Sequence, residues 1–399
     1  MYIIETEKFT DTFVSIRTIL PLKKETITAM NLLLIMMKSR TKKYPTKDAL
    51  SNALSRAYDM RASSGLAGYG KCLVFNTKFQ FIRPDWIDEK DYKDRILDIM
   101  DQLLHQIVLE EDMLDEAKFL LENRIDRMMD DPDYLAINNA LSLAAPNHNL
   151  SISMNGYKED IADITLDKIK DLYEMVCKAP KYVYMCGKIV PEIKAYLEKI
   201  DTKGKIQSNY ELIPAIDCKE KILTKDISQT SISMIYATGI DFKSDLYYPL
   251  LMANSIFGQN AMSLLFQTVR EKYSYCYNIS SGLLRFDGAL MVTVGTQREN
   301  VEKVIELTDK QLDLLVSGDW DDDLLDIAKK DLIDSLATQQ DYPASMIEQE
   351  FLDTMLERQT TPEERLEAIH SVTKEQVCTA ASYWKKVSCA IVQEEDDEV

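Results

Sequence analysis

The chain has 399 residues, 46% of them hydrophobic and 28% charged, with 12 glycines and 11 prolines. That length predicts two domains with buried cores, and the scarcity of glycine and proline excludes collagen-like and long disordered designs. Acidic residues outnumber basic ones by 66 to 47, a net charge of −19 that repels phosphate backbones and argues against a nucleic-acid role.

In chain order, Met1–Lys8 lacks a basic stretch followed by an apolar core, so no leader segment is expected, and the chain reads as cytoplasmic. A strand is predicted over Thr12–Leu20, where β-branched and aromatic residues partly alternate with polar ones. A helix follows from Thr26 to about Ser39 on 3.6-residue apolar spacing. A second helix leads to Ser63-Ser64-Gly65-Leu66, read as a turn entering the strand Cys72–Phe79. Two longer helices come next, interrupted at Asp131-Pro132-Asp133, and a short strand over Tyr182–Cys186 closes the half. Residues 202–217, polar and holding Gly204 and Pro214, read as a linker with a strand or two beside it.

The same order then returns. Ser231–Ala237 predicts a strand and Ser244 to about Ile256 a helix. Phe257-Gly258-Gln259-Asn260 reads as a turn, and Ser280-Ser281-Gly282-Leu283 precedes a strand at Ala289–Val294. Asp322–Lys329 repeats the acidic helix start Glu111–Lys118. Asp341-Tyr342-Pro343 interrupts the helices, Ser371-Val372-Thr373 repeats Asp163-Ile164-Thr165, and Ser388–Val392 is the closing strand. Matched landmarks in one order indicate an internal duplication. The expected fold is α+β: two homologous domains, 1–205 and 206–399, each a mostly antiparallel sheet with helices packed on one face. The tail Glu394–Glu398 reads as a solvated charge run.

Candidate chemistry is sparse. His105, His148 and His370 are far apart, and the seven cysteines are scattered without a CxxC pair. The serine runs have no partner that would make them nucleophiles. Core packing explains the thiols, and methionines such as Met36, Met37, Met128 and Met129 read as helix-face core or partner packing. Asp321–Asp323 reads as acids complementing a helix N-terminus.

The duplicated layout, with Leu265-Phe266-Gln-Thr-Val-Arg270-Glu-Lys272, then Tyr277 and Ser280-Ser281, resembles the pitrilysin/insulinase family of zinc metallopeptidases in its mitochondrial-processing-peptidase-like branch. Thr41-Lys42-Lys43-Tyr44-Pro45 is similar to the family's segment just after its first helix. Active members carry His-x-x-Glu-His on that helix, where two imidazoles on one face bind zinc and the glutamate polarises the attacking water. The matching positions here are Asn31, Leu34 and Ile35, so both imidazoles and the general base are missing. Glu122 lies near the place of the family's third ligand. The resemblance therefore implies a degenerate metal motif, no metal in this chain and zinc in a partner subunit.

It also implies that Arg270 and Tyr277 reach substrate in a neighbouring catalytic half. The guanidinium would donate to a peptide carbonyl and the phenol to the oxyanion, a term worth about 2.7–4 kcal/mol per donor. The plain alternative pairs Arg270 with a carboxylate on its own helix and makes Tyr277 a half-buried strand aromatic. The implied function is the non-catalytic, substrate-binding subunit of a heterodimeric zinc peptidase. It would form half of a clamshell around the peptide, with an acidic interior that favours basic or unfolded peptides. Related inactive bacterial subunits are associated with peptide maturation or elongation factor P modification. A purely structural subunit or a peptide-binding module with no catalytic share are the alternatives, and an isolated metal-dependent enzyme is disfavoured.

Overall fold

A computed structural model describes residues 1–356 and 361–395. Five strands come from the first half: β1 (Tyr2–Glu5), β2 (Asp11–Pro21), β3 (Arg61–Tyr69), β4 (Cys72–Ile82) and β5 (Lys181–Gly187). Five more come from the second: β6 (Lys219–Lys225), β7 (Thr230–Ala237), β8 (Cys276–Leu284), β9 (Ala289–Thr296) and β10 (Lys385–Glu394). The first sheet runs β1-β5-β2-β4-β3 and the second β6-β10-β7-β9-β8. Each order maps onto the other strand for strand. β1 with β5 and β6 with β10 are parallel, and every other pairing is antiparallel. Two copies of one mixed topology are the structural trace of the duplication.

Alternation along the strands decides what each sheet face buries. In the first sheet, Val14, Ile16, Phe79, Phe81, Val183 and Met185 pack on Ile96, Ile99 and Met100 of helix Tyr92–His105 and on Ile193 and Leu197 of helix Pro191–Ile200. In the second, Met234, Tyr236, Val292 and Ile391 meet the helices Tyr247–Asn254, Val301–Ser317 and Lys374–Ser382.

Each sheet also has a helix on its opposite face, and that helix comes from the other half of the sequence. The chain forms two compact units. One takes Met1–Ile125, Ser153–Asn209 and the stretch beginning at Thr338; the other takes Asp126–Ile152, Tyr210–Ala337 and the C-terminal stretch. Helix Pro343–Met355 lies on the first sheet, where Phe351 meets Tyr184 of β5 edge-on at 5.9 Å. Helix Pro132–Ala144 lies on the second, with Ala140 and Ala144 against Ile235, Ala237 and Ala390. Alanine at these positions lets the helix approach closely enough for the Ser388 hydroxyl of β10 to donate to the Ala140 carbonyl at 2.7 Å. The breaks at Asp131-Pro132 and Tyr342-Pro343 are the starts of these two exchanged helices. Asp131 caps its helix by accepting from the Asp133 and Tyr134 amides.

Three local expectations are corrected. Ser63–Gly65 and Ser280–Gly282 are not turns but lie inside the edge strands β3 and β8, with Ser64 opposite Thr77 and Ser281 opposite Val292. An edge strand has one ladder and an open side, so small polar residues are tolerated there. The chain reverses at Gly70 and Gly288 instead, whose φ of 58° and 57° is left-handed backbone. Phe257–Gln259 belongs to a buried π-helical stretch, Ser255–Gln259, not to an open turn. A Cβ on Gly258 would meet Ser281 of β8 at 2.8–3.0 Å, so this glycine serves close packing. Residues 202–218 carry no regular element before β6 begins. Residues 396–398 of the acidic tail lie outside the described residues. Among the described residues, no helix is long and apolar enough to cross a membrane.

Candidate functional site

The helix expected over 26–39 runs Lys24–Met36. Asn31 is 3% exposed and every polar atom of its amide is engaged. Nδ2 donates to the Ile27 carbonyl at 2.9 Å and to the Met154 carbonyl at 3.0 Å, and Oδ1 accepts from the Arg124 guanidinium at 2.6 Å. The loop carrying Met154 is drawn over this helix at Gly156. There a Cβ would lie 2.9 Å from the Thr28 Cα, and φ is +81°. Leu34 is buried and Ile35 half-buried; both offer only hydrocarbon.

These residues do not fit zinc. One position is an amide already saturated with hydrogen bonds, two have no donor atom, and a permanent cation stands against the first. Among the described residues, no group of three His, Cys, Asp or Glu side chains is gathered to hold a metal ion. Glu122, placed near the third-ligand position, instead lies on the surface, 3.5 Å from Lys158. The residue of helix Glu111–Met129 that reaches Asn31 is Arg124, two positions on and therefore on another side of the helix. Asn31→Leu leaves the Arg124 guanidinium and the Met154 carbonyl without this partner. Urea unfolding should show a loss of about 1–3 kcal/mol; an unchanged midpoint would mean that the amide is dispensable.

Arg270 and Tyr277 meet a different environment. Arg270 lies in a π-helical turn, Phe266–Lys272, in which the Tyr273 amide reaches back five residues to the Thr268 carbonyl at 3.1 Å. The wide turn brings the Arg270 guanidinium over the Phe266 ring, 4.5 Å from its centroid. Its nearest carboxylate is Glu271, whose Oε1 stands 3.9 Å from Nε, a loose surface contact. The plain reading of an ion pair on the same helix is thus present in geometry but weak. The turn ends at Ser274, a non-glycine residue at φ 54°. That left-handed residue swings the chain into β8.

Tyr277 sits where the β8–β9 ladder slips. Cys276 pairs with Thr296 and Asn278 with Gly295, which leaves Tyr277 as the extra residue of a bulge. Bulges re-aim side chains, and Tyr277 is 58% exposed, unlike a half-buried strand aromatic. Arg270 and Tyr277 consequently line one cavity of ≈ 570 Å³, shared with Tyr275, Gln297, Glu299 and Asn300. The family resemblance pointed to the first two. Gln297 and Glu299 carry no sequence signal, because they enter from the end of the neighbouring strand. Tyr275 stacks on Tyr273, with centroids 5.5 Å apart.

Residues 163–332 match the family model described as "Peptidase M16 inactive domain". "Probable inactive metalloprotease YmfF" of Bacillus subtilis (strain 168) is 24% identical over 392 residues, covering 95% of this chain and 92% of its own length. Among solved structures, a conserved protein from Enterococcus faecalis V583 superposes with a TM-score of 0.90 at 21% identity, covering 100% of this chain and 96% of that one. The peptidase M16 inactive domain from Pseudomonas fluorescens gives a TM-score of 0.81 at 16% identity, covering 98% and 95%.

Proposed function

We propose, from the premise that this chain is an inactive M16-family peptidase homologue, that it is the substrate-binding subunit of a two-chain zinc peptidase. The partner is a homologous catalytic chain carrying His-x-x-Glu-His, which brings the zinc and the hydrolytic water. This chain contributes donors. Arg270 offers charged N–H groups to a peptide carbonyl, and Tyr277 offers its hydroxyl to the oxygen on which negative charge develops. The carrying observation is the division of labour within one chain. The metal positions have become an amide and two alkyl groups, while the two donor residues converge on one open cavity. Glu271 and Glu299, which line the cavity with Arg270, make it mixed in charge, suited to a polar peptide backbone more than to a free anion.

The test is reconstitution. This chain is purified, mixed with the similar-length His-x-x-Glu-His chain of the same organism, and assayed with a quenched fluorogenic peptide library. Zinc-dependent cleavage is expected from the mixture and little from either chain alone. Full activity of the partner chain by itself, unaffected by this one, sinks the proposal.

A further inference from the structure

The Tyr277 phenol has a partner within the cavity wall. Gln297, the first residue after β9, donates from Nε2 to the Tyr277 hydroxyl oxygen at 2.7 Å. Its own backbone is pinned. The Gln297 carbonyl accepts from the Asn300 amide at 3.0 Å, opening the short helical turn Arg298–Asn300. On the preceding residue, the Thr296 hydroxyl donates to the Tyr275 carbonyl, tying the end of β9 to the approach of β8. The amide therefore arrives from a fixed point beside the bulge that exposes Tyr277.

A phenol has one hydrogen to give and lone pairs to receive. An oxygen that accepts from an amide keeps its hydrogen for something else. With the ring exposed in the cavity it shares with Arg270, that hydrogen is available to solvent or to a substrate. We propose that Gln297 is a positioning residue that fixes Tyr277 as a hydrogen-bond donor toward substrate. The inference rests on the reading of Tyr277 given above and adds a requirement to it: the polarity of the Gln297–Tyr277 hydrogen bond sets what Tyr277 can do. An ionised glutamate at 297 reverses that polarity, because a carboxylate only accepts, and the phenol hydrogen then turns toward residue 297. A methionine at 297 removes the donor without reversing anything.

Two measurements test this on the whole 399-residue chain. In the first, the resonance Raman Fermi doublet of tyrosine, taken as the difference between each background and the same background with Tyr277→Phe, reports whether this phenol accepts or donates. In the natural sequence the ratio expected is that of a phenol that accepts from Gln297 while donating to water, and Gln297→Glu at neutral pH should shift it to the donor type. In the second, peptide cleavage by the two-chain complex is compared across Gln297→Glu, Gln297→Met and Tyr277→Phe. Gln297→Glu should lower kcat about tenfold to a hundredfold, close to Tyr277→Phe, with KM nearly unchanged and Gln297→Met in between. A donor-type ratio in the natural sequence, or Gln297→Glu retaining full kcat while Tyr277→Phe loses it, overturns the assignment. If Tyr277→Phe itself leaves kcat intact, the cross-chain reading falls, and the Raman ratio still decides the polarity.

Discussion

In the reconstituted two-chain complex, Arg270→Ala should lower kcat/KM for peptide cleavage by about tenfold to a thousandfold. The size follows from the proposed role. Its guanidinium is held by a face-on contact with Phe266 and only loosely by Glu271, so few intramolecular contacts vanish on truncation. Stability should therefore change little, about 0.5 kcal/mol or less, as for surface substitutions away from special features. What disappears is a charged donor in the cavity wall, whose effect would grow once substrate excludes water. Lysine should restore part of the loss, since it supplies charge but not the planar fork. Separating kcat from KM tells a donor that acts on developing charge from one that merely anchors the peptide. A loss under about threefold with the complex intact by size-exclusion chromatography would reassign the chain as a scaffold subunit.

The largest stability effect is expected at Glu348. Arg17 points from β2 toward helix Pro343–Met355 with its side chain 2% exposed, and donates to the Glu348 carboxylate at 2.7 Å. Its guanidinium lies 4.0 Å from the Phe351 ring centroid and 5.5 Å from that of Tyr184, and Nε donates to the Ser15 hydroxyl at 3.2 Å. The Tyr69 hydroxyl donates to the other Glu348 oxygen at 2.7 Å, and burial, then the adjacent carboxylate, push that phenol well above its ordinary range. Glu348→Ala would strand a guanidinium in an aromatic layer. Breaking a buried pair from one side costs about 3–5 kcal/mol. Because the Glu348 side chain is 39% exposed, water can relieve part of this, and the lower end, about 3 kcal/mol, is expected. Arg17→Met combined with Glu348→Leu should recover most of it by replacing the pair with packed hydrocarbon. Urea unfolding of the single and double variants measures both; a single-variant loss below about 1 kcal/mol would place the pair with ordinary surface ion pairs.

Strand identity was readable because a buried sheet face imposes a two-residue alternation on neighbouring side chains. Val14 and Ile16 against Ser15 and Arg17 are an example. The exchange of helices was not readable. Ala140 and Ala144, or Ile347 and Phe351, say that one side of a helix must be covered, but not which of the two sheets covers it. The Asp-Pro and Tyr-Pro breaks marked where these helices begin, not where they go.

The sequence by itself determined the duplication, the α+β class and the loss of metal donors. These depend on the order and atomic identity of residues: no fold can give Leu34 or Ile35 a lone pair. Only the tertiary structure decided that Arg124 rather than Glu122 faces Asn31, that a bulge exposes Tyr277, and that Gln297, twenty residues on, donates to its hydroxyl. Such contacts depend on register and on which strand ends lie side by side. Those are set by the packing of whole sheets and leave no local pattern in the chain.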